Sequence, residues 1–174
     1  MLQLALAIGL LLQAAPADRG GYVVTDVSTA IAPNDELGPI GSGLICVHVG
    51  KLQWWALAKA DSTVWIDAAQ RALADAGLDT PARPTSRYRV ALRIKALRLN
   101  LCLAWMGIGR KPRGKGVMTV EVAVRDVLQN VALPSRDVDI DIDLRGRDPR
   151  KDDAVLTQAI GDAVRKFIAT RPAG

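Results

Sequence analysis

Between Tyr88 and Leu144 the chain alternates apolar and polar residues over stretches that only a sheet can accommodate. Tyr88, Val90, Leu92 and Ile94 alternate with Arg89, Ala91, Arg93 and Lys95. A period of two residues sends the first set to one face of a strand and the second set to the other. At Ala96–Leu97 the apolar set changes parity and continues as Leu97, Leu99, Leu101 and Leu103. A strand that ran on without adjustment would turn its charges into the core, so a β-bulge is predicted near Ala96 within a strand over Arg87 to Ala104. Met118, Val120, Val122 and Val124 then alternate with Thr119, Glu121 and Arg125. With Trp105 to Lys115 as the turn, the strand over Val117 to Asp126 closes an antiparallel hairpin. Val138, Ile140, Ile142 and Leu144, interleaved with Asp137, Asp139, Asp141 and Asp143, mark a further strand.

The remaining segments arrange themselves around this sheet. Gly20 to Val27 reads as a short strand and Leu44 to Val49, an apolar run with β-branched residues, as another. The Pro-, Gly- and Asn-rich stretch between them, residues 28–43, reads as a loop. Asp61 to Ala76 has helical spacing, with Trp65, Ala69, Ala72, Leu73 and Ala76 on one stripe. Asp61 or Ser62 is suited to cap it, and Gly77 to end it. Pro81 and Pro84 make a non-helical connection. A second helix is predicted from about Pro149 to Thr170, with Leu156, Ile160, Ala163, Val164 and Phe167 buried and Pro149 in its first turn. The order β-β-α-β-β-β-α implies an α+β domain in which two helices pack on one face of a mainly antiparallel sheet.

The first residues have a different character. Leu2 to Ala17 carry no charged side chain and end in small residues, with Ala15 and Ala17 at the −3 and −1 places of an export cleavage site. The apolar run is shorter than the roughly 20 residues of a membrane span. Residues 1–17 are therefore expected to be a signal peptide cleaved after Ala17, leaving residues 18–174 as a single periplasmic domain. The net charge of +5 favours anionic associates, either a phospholipid surface or an acidic envelope protein. Export argues against nucleic acid. No later segment has the pattern of a transmembrane helix. In an oxidising compartment the two cysteines, Cys46 and Cys102, are either bridged or buried as free thiols.

Motifs for chemistry are sparse. Residues 109–116, GRKPRGKG, approach the phosphate-binding loop G-x-x-x-x-G-K-[ST], but Gly116 stands where a hydroxyl is needed and a strand follows instead of a helix. Nucleotide binding is rejected. Alternate Asp residues on one strand lie about 6.6–6.8 Å apart, too far to converge on a cation that needs oxygens at about 2.3–2.6 Å. Asp137, Asp139, Asp141 and Asp143 are read instead as an acidic strand face opposite Arg89, Arg93 and Lys95. Cys46 and His48 share a strand face but lack the partners of a nucleophile or zinc site. No catalytic, cofactor or metal residue is assigned. Two places remain as interfaces. Trp54 and Trp55 are either core or a partner-facing edge. The turn with Trp105, Arg110, Lys111, Arg113 and Lys115 is either a solvated loop or a contact with an anionic membrane surface.

The apolar leader, LICVHVG, the helix IDAAQRALADAGL and the strands YRVALRIKALRL and VMTVEVAVRD together resemble small bacterial cell-envelope lipoproteins. The type is the auxiliary component of ABC-type lipid or solvent transport systems, and the resemblance covers roughly residues 44–170. It implies a non-enzymatic partner protein of the envelope. The chain departs from the pattern in having no Cys after the leader to carry a lipid. The function expected is a non-enzymatic periplasmic accessory or binding protein acting through protein or lipid contacts. The alternatives are a small periplasmic hydrolase with a dispersed site and a purely structural adaptor.

Overall fold

The computed structural model describes residues 21–78, 86–103 and 111–170. Strands β1 (Tyr22–Thr29), β2 (Glu36–Ser42) and β3 (Val47–Gln53) lead through a short 3-10 turn, Trp54–Ala56, to helix α1 (Ser62–Asp75). The long strands β4 (Tyr88–Leu103) and β5 (Arg113–Asp126) follow, then the two-residue β6 (Val131–Ala132), β7 (Arg136–Asp143) and helix α2 (Ala154–Ala169). All seven strands form one sheet. The α+β architecture, with two helices on one face of a mostly antiparallel sheet, is the one the alternation implied, and β2 and β6 are strands added to the expected order.

The β4–β5 hairpin is the frame of the sheet. It pairs antiparallel from Tyr88↔Asp126 to Cys102↔Arg113. On its other side β4 runs parallel to β1 over its first half and to β2 near its end. β5 is flanked by β7 and briefly by β6. The register shifts between Ile94 and Ala96, the bulge required by the change of parity. As a result Val90, Leu92, Ile94, Leu97, Leu99 and Leu101 are all buried on the helix side. Met118, Val120 and Val122 from β5, Val138, Ile140 and Ile142 from β7 and Leu144 just after it continue that core. The helices close it with Trp65, Ala69, Ala72 and Leu73 from α1 and Leu156, Ile160, Ala163 and Val164 from α2.

Several local expectations are corrected. Glu36–Ser42 is strand β2 where a loop was expected, because Leu37 reaches the core and hairpin pairing with β3 absorbs the Gly and Pro residues at two register shifts. At Gly38, with φ +142°, a side chain would run into the carbonyl of Leu99, so the close passage of β2 over β4 requires glycine. β3 begins at Val47, because Gly43 to Cys46 form the turn that the apolar run had concealed. Ala76 is exposed beyond the end of α1 and Phe167 is only half-buried on α2. Helix α2 starts at Ala154 and Pro149 lies in a preceding turn. Asp148 organises that turn: its carboxylate takes the Arg150 N–H at 3.0 Å and its carbonyl takes the N–H groups of Lys151 and Asp152, both at 2.9 Å. The cap of α1 is as expected, with the Thr63 N–H donating to the Asp61 carboxylate at 2.9 Å. Gly77 follows in the left-handed conformation. Pro81, Pro84 and Gly20 lie outside the described residues.

The outer edge of β1 is covered without another strand. The Val24 N–H donates to the Gln70 side-chain oxygen of α1 at 2.8 Å, and the Gln70 amide donates back to the Tyr22 carbonyl at 3.3 Å. One side chain thus satisfies two strand-edge groups that would otherwise invite pairing. Similarly Lys166 of α2 donates to the Asp139 carbonyl of β7 at 2.7 Å. Among the described residues β3 has no comparable cover: Val47, His48 and Val49 are all exposed.

Candidate interaction surface

Cys46 and Cys102 form a disulfide, with Cα atoms 5.6 Å apart. That separation is in the usual range for a bridge. Strand β2 brings them together: Gly41 is paired with Cys102 on β4 and with His48 on β3, so the turn before β3 folds over the end of β4. A side chain at Gly41 would collide with the Cys46 sulfur, which makes glycine a condition for the bridge. Cys46 sits in the turn at φ 56°, not on the strand beside His48. With its sulfur committed to the bridge it has no thiolate to offer, so a Cys46–His48 nucleophile pair does not exist.

The bridge fixes a turn whose side chains point to solvent. Ile45 is 85% exposed, and Leu44, Val47 and Val49 are exposed beside it. The Arg113 guanidinium at the start of β5 donates to the Leu44 carbonyl at 2.8 Å, tying the turn to the end of the β4–β5 hairpin. Lys111 is exposed two residues earlier. The turn after β7 reaches the same end, with the Gly146 N–H donating to the Pro112 carbonyl at 2.7 Å. Of the cationic turn proposed from sequence, Arg113 is therefore the first residue of β5, beside the β2–β3 turn, and Lys111 is exposed just before it. Lys115 is inside β5, facing the open side of the sheet, and Trp105 and Arg110 lie outside the described residues. Gly114 and Gly116 are also strand residues pressed against the β4 backbone, so no glycine loop leads into a helix here.

The two neighbouring tryptophans have opposite fates. Trp54 is 5% exposed and Trp55 is 62% exposed. Lys59 holds the short 3-10 turn by donating to the Trp54 carbonyl at 2.9 Å, and its ammonium lies 5.2 Å from the Trp54 ring centroid. Partial burial lowers the Lys59 pKa. Trp55 donates its indole N–H to Gln53 at 2.8 Å, which leaves the ring face open at the exit of β3. Exposed apolar groups thus follow the β2–β3 hairpin from its turn to its end.

The sheet face away from the helices carries sorted charge. Cross-sheet rows run Arg93–Glu121–Asp137, Ala96–Thr119–Asp139, Arg98–Val117–Asp141 and Asn100–Lys115–Asp143. Strand β5 separates the basic β4 from the acidic β7, so the two do not pair directly as the sequence suggested. Lys95, displaced by the bulge, nevertheless reaches Asp137 at 2.8 Å. The Thr119 hydroxyl donates to Asp139 at 2.6 Å, and Asp143 is paired with Arg145 at 2.6 Å. The Arg145 guanidinium and backbone N–H hold the Asp143 carboxyl below the usual carboxylate range. A trough of about 1030 Å³ lies on this face between Pro39 of β2 and Asp141 of β7. Among the described residues no cluster of His, Cys, Asp and Glu is arranged to hold a metal ion, and no helix is long and apolar enough to cross a membrane.

One buried ionic group was not legible in the sequence. Asp126, 3% exposed at the end of β5, pairs with Arg87 at 2.8 Å and accepts the N–H groups of Leu128 and Gln129 at 3.0 and 3.1 Å. The Arg87 hydrogen bond is the main cause of its lowered pKa. It shapes the turn after β5, in which Leu128 is exposed. A carboxylate at a strand end followed by a turn was the available signal.

No protein-family model matches the sequence, and no curated protein matches it. Among solved structures, protein XCC0632 from Xanthomonas campestris, of the family DUF330, superposes with a TM-score of 0.53 at 15% identity, over 90% of this chain and 85% of that one. PelC from Paraburkholderia phytofirmans, a dodecamer, gives a TM-score of 0.39 at 14% identity over 84% and 88% of the two chains. A minor lipoprotein from Acinetobacter baumannii gives 0.38 at 9% identity over 82% and 89%. All three are weak structural likenesses at low identity. The Xanthomonas structure shows a shared fold.

Proposed function

We propose that the chain is an exported, non-enzymatic accessory of the bacterial cell envelope that works by surface contact. The observation that carries this reading is the Cys46–Cys102 bridge, which rigidifies an apolar, solvent-facing turn. A disulfide persists in an oxidising compartment, in agreement with the uncharged leader over Leu2 to Ala17. An exposed apolar patch on a small domain that has a complete core is a mark of an interaction site. The test is photo-crosslinking in intact cells from positions 45 and 55, with position 71 on the exposed side of α1 as control. Specific envelope adducts from 45 and 55, and none from 71, are expected. Adducts only with cytosolic proteins, or turnover of a small substrate by the purified chain, would overturn the reading.

A further inference from the structure

We infer that the β2–β3 turn is a membrane-docking tip that inserts into the headgroup region of an anionic bilayer. This rests on the envelope reading and names the surface contacted. Leu44 and Ile45 are the outermost apolar side chains of the turn, with Val47 behind them on β3. Arg113 donates to the Leu44 carbonyl and Lys111 is exposed two residues before it, and neither has an acidic partner among the described ion pairs. Arg145 of the adjoining turn is paired with Asp143 and adds no net charge. The arrangement is an apolar point flanked by uncompensated cations. It matches a leaflet that offers acyl chains beneath negative headgroups, where apolar burial and electrostatic attraction add. The bridge and the Arg113–Leu44 hydrogen bond hold the point in shape before contact, so little ordering is needed on docking. A protein partner at the same place would have to supply both an apolar pocket and acidic groups, whereas an anionic bilayer supplies both along its whole surface.

The purified chain, in the form the cell produces, is to be sedimented with phosphatidylcholine vesicles and with phosphatidylcholine vesicles containing phosphatidylglycerol. Binding to the anionic vesicles is expected, much weaker binding to the neutral ones, and loss as salt rises from about 0.1 to about 1 M. The double variant Leu44→Ser/Ile45→Ser should bind about tenfold or more weakly at an unchanged unfolding temperature. Lys111→Gln should weaken binding about fivefold. Ile45→Trp reports on the tip itself: its added fluorescence should shift to the blue on anionic vesicles and be quenched by brominated acyl chains. Equal binding of wild type and the double variant without quenching at position 45, equal affinity for both vesicle types, or no vesicle binding would each overturn the proposal. Capture of an envelope protein in that last case would assign the tip to a protein and leave the envelope reading intact.

Discussion

Removing the Cys46–Cys102 bridge tests the coupling between the turn and the sheet. The bridge spans 56 positions of sequence. In the chain-entropy picture, closing a loop of that length costs the unfolded ensemble about 4 kcal/mol of freedom at room temperature. The variant Cys46→Ala/Cys102→Ala should lose most of that stability. With a urea slope of about 2 kcal/mol per molar for a domain of this size, the unfolding midpoint should fall by about 2 M. A separate effect enters at residue 46, whose φ of 56° strains cysteine and alanine alike. Alanine resists that conformation, so Cys46→Gly/Cys102→Ala should recover about 1 kcal/mol of the loss. The assay is urea unfolding followed by far-ultraviolet circular dichroism for both variants, and for wild type with and without reductant. A midpoint that moves by less than about half a molar in every case would refute the reasoning.

Other consequences are as direct. Trp54→Ala should cost about 3–5 kcal/mol while Trp55→Ala leaves thermal stability nearly unchanged, because only the first ring is in the core. Gly41→Ala should impair formation of the bridge, read as free thiols by maleimide labelling of freshly folded protein, since the added methyl group meets the Cys46 sulfur. The carboxyls of Asp126, Asp148 and Asp152 are lowered in the folded state by Arg87, Arg150 and Arg147 respectively. The unfolded chain therefore binds more protons in acid, and stability present above pH about 4 is lost as pH falls through the folded-state values. The unfolding temperature should drop on acidification below pH about 4 and do so less steeply in Asp126→Asn; a flat profile would contradict the assignment. Deleting Lys95, the residue left without a partner on β5, should leave Leu97, Leu99 and Leu101 on the core face in an unbroken strand and preserve the fold, whereas deleting Lys95 and Ala96 together should turn them to the open face and prevent folding, as seen by loss of dispersed amide resonances.

The sheet was readable because burial on one face leaves a period of two in the residues themselves. Even the bulge could be placed, since Ile94 and Leu97 cannot share a face in an unbroken strand. β2 was hidden because Gly38 and Pro39 carry turn chemistry, while its pairing is imposed by the β3 hairpin and by β4. The start of α2 was misplaced for a related reason: Pro149 suits a helix's first turn, but the Asp148 carboxylate and carbonyl draw the following N–H groups into a separate turn. At the site, Cys46 and Cys102 could be singled out but not joined, because their approach depends on β2 lying between β3 and β4. The difference between Trp54 and Trp55 was equally out of reach, as one residue of rotation in a short turn decides which ring enters the core. Ile45 was missed because an apolar residue in LICVHV reads as strand interior, and only the chain reversal at Gly43 to Cys46 exposes it.

Intact-mass analysis of the chain recovered from fractionated cells bears most directly on the claim that it works outside the cytoplasm with its turn stapled. The predicted result is a species beginning at Asp18, in the envelope fraction, with both cysteines resistant to alkylation until reduced. A cytosolic species that retains Met1 and alkylates at Cys46 and Cys102 without reduction would contradict it.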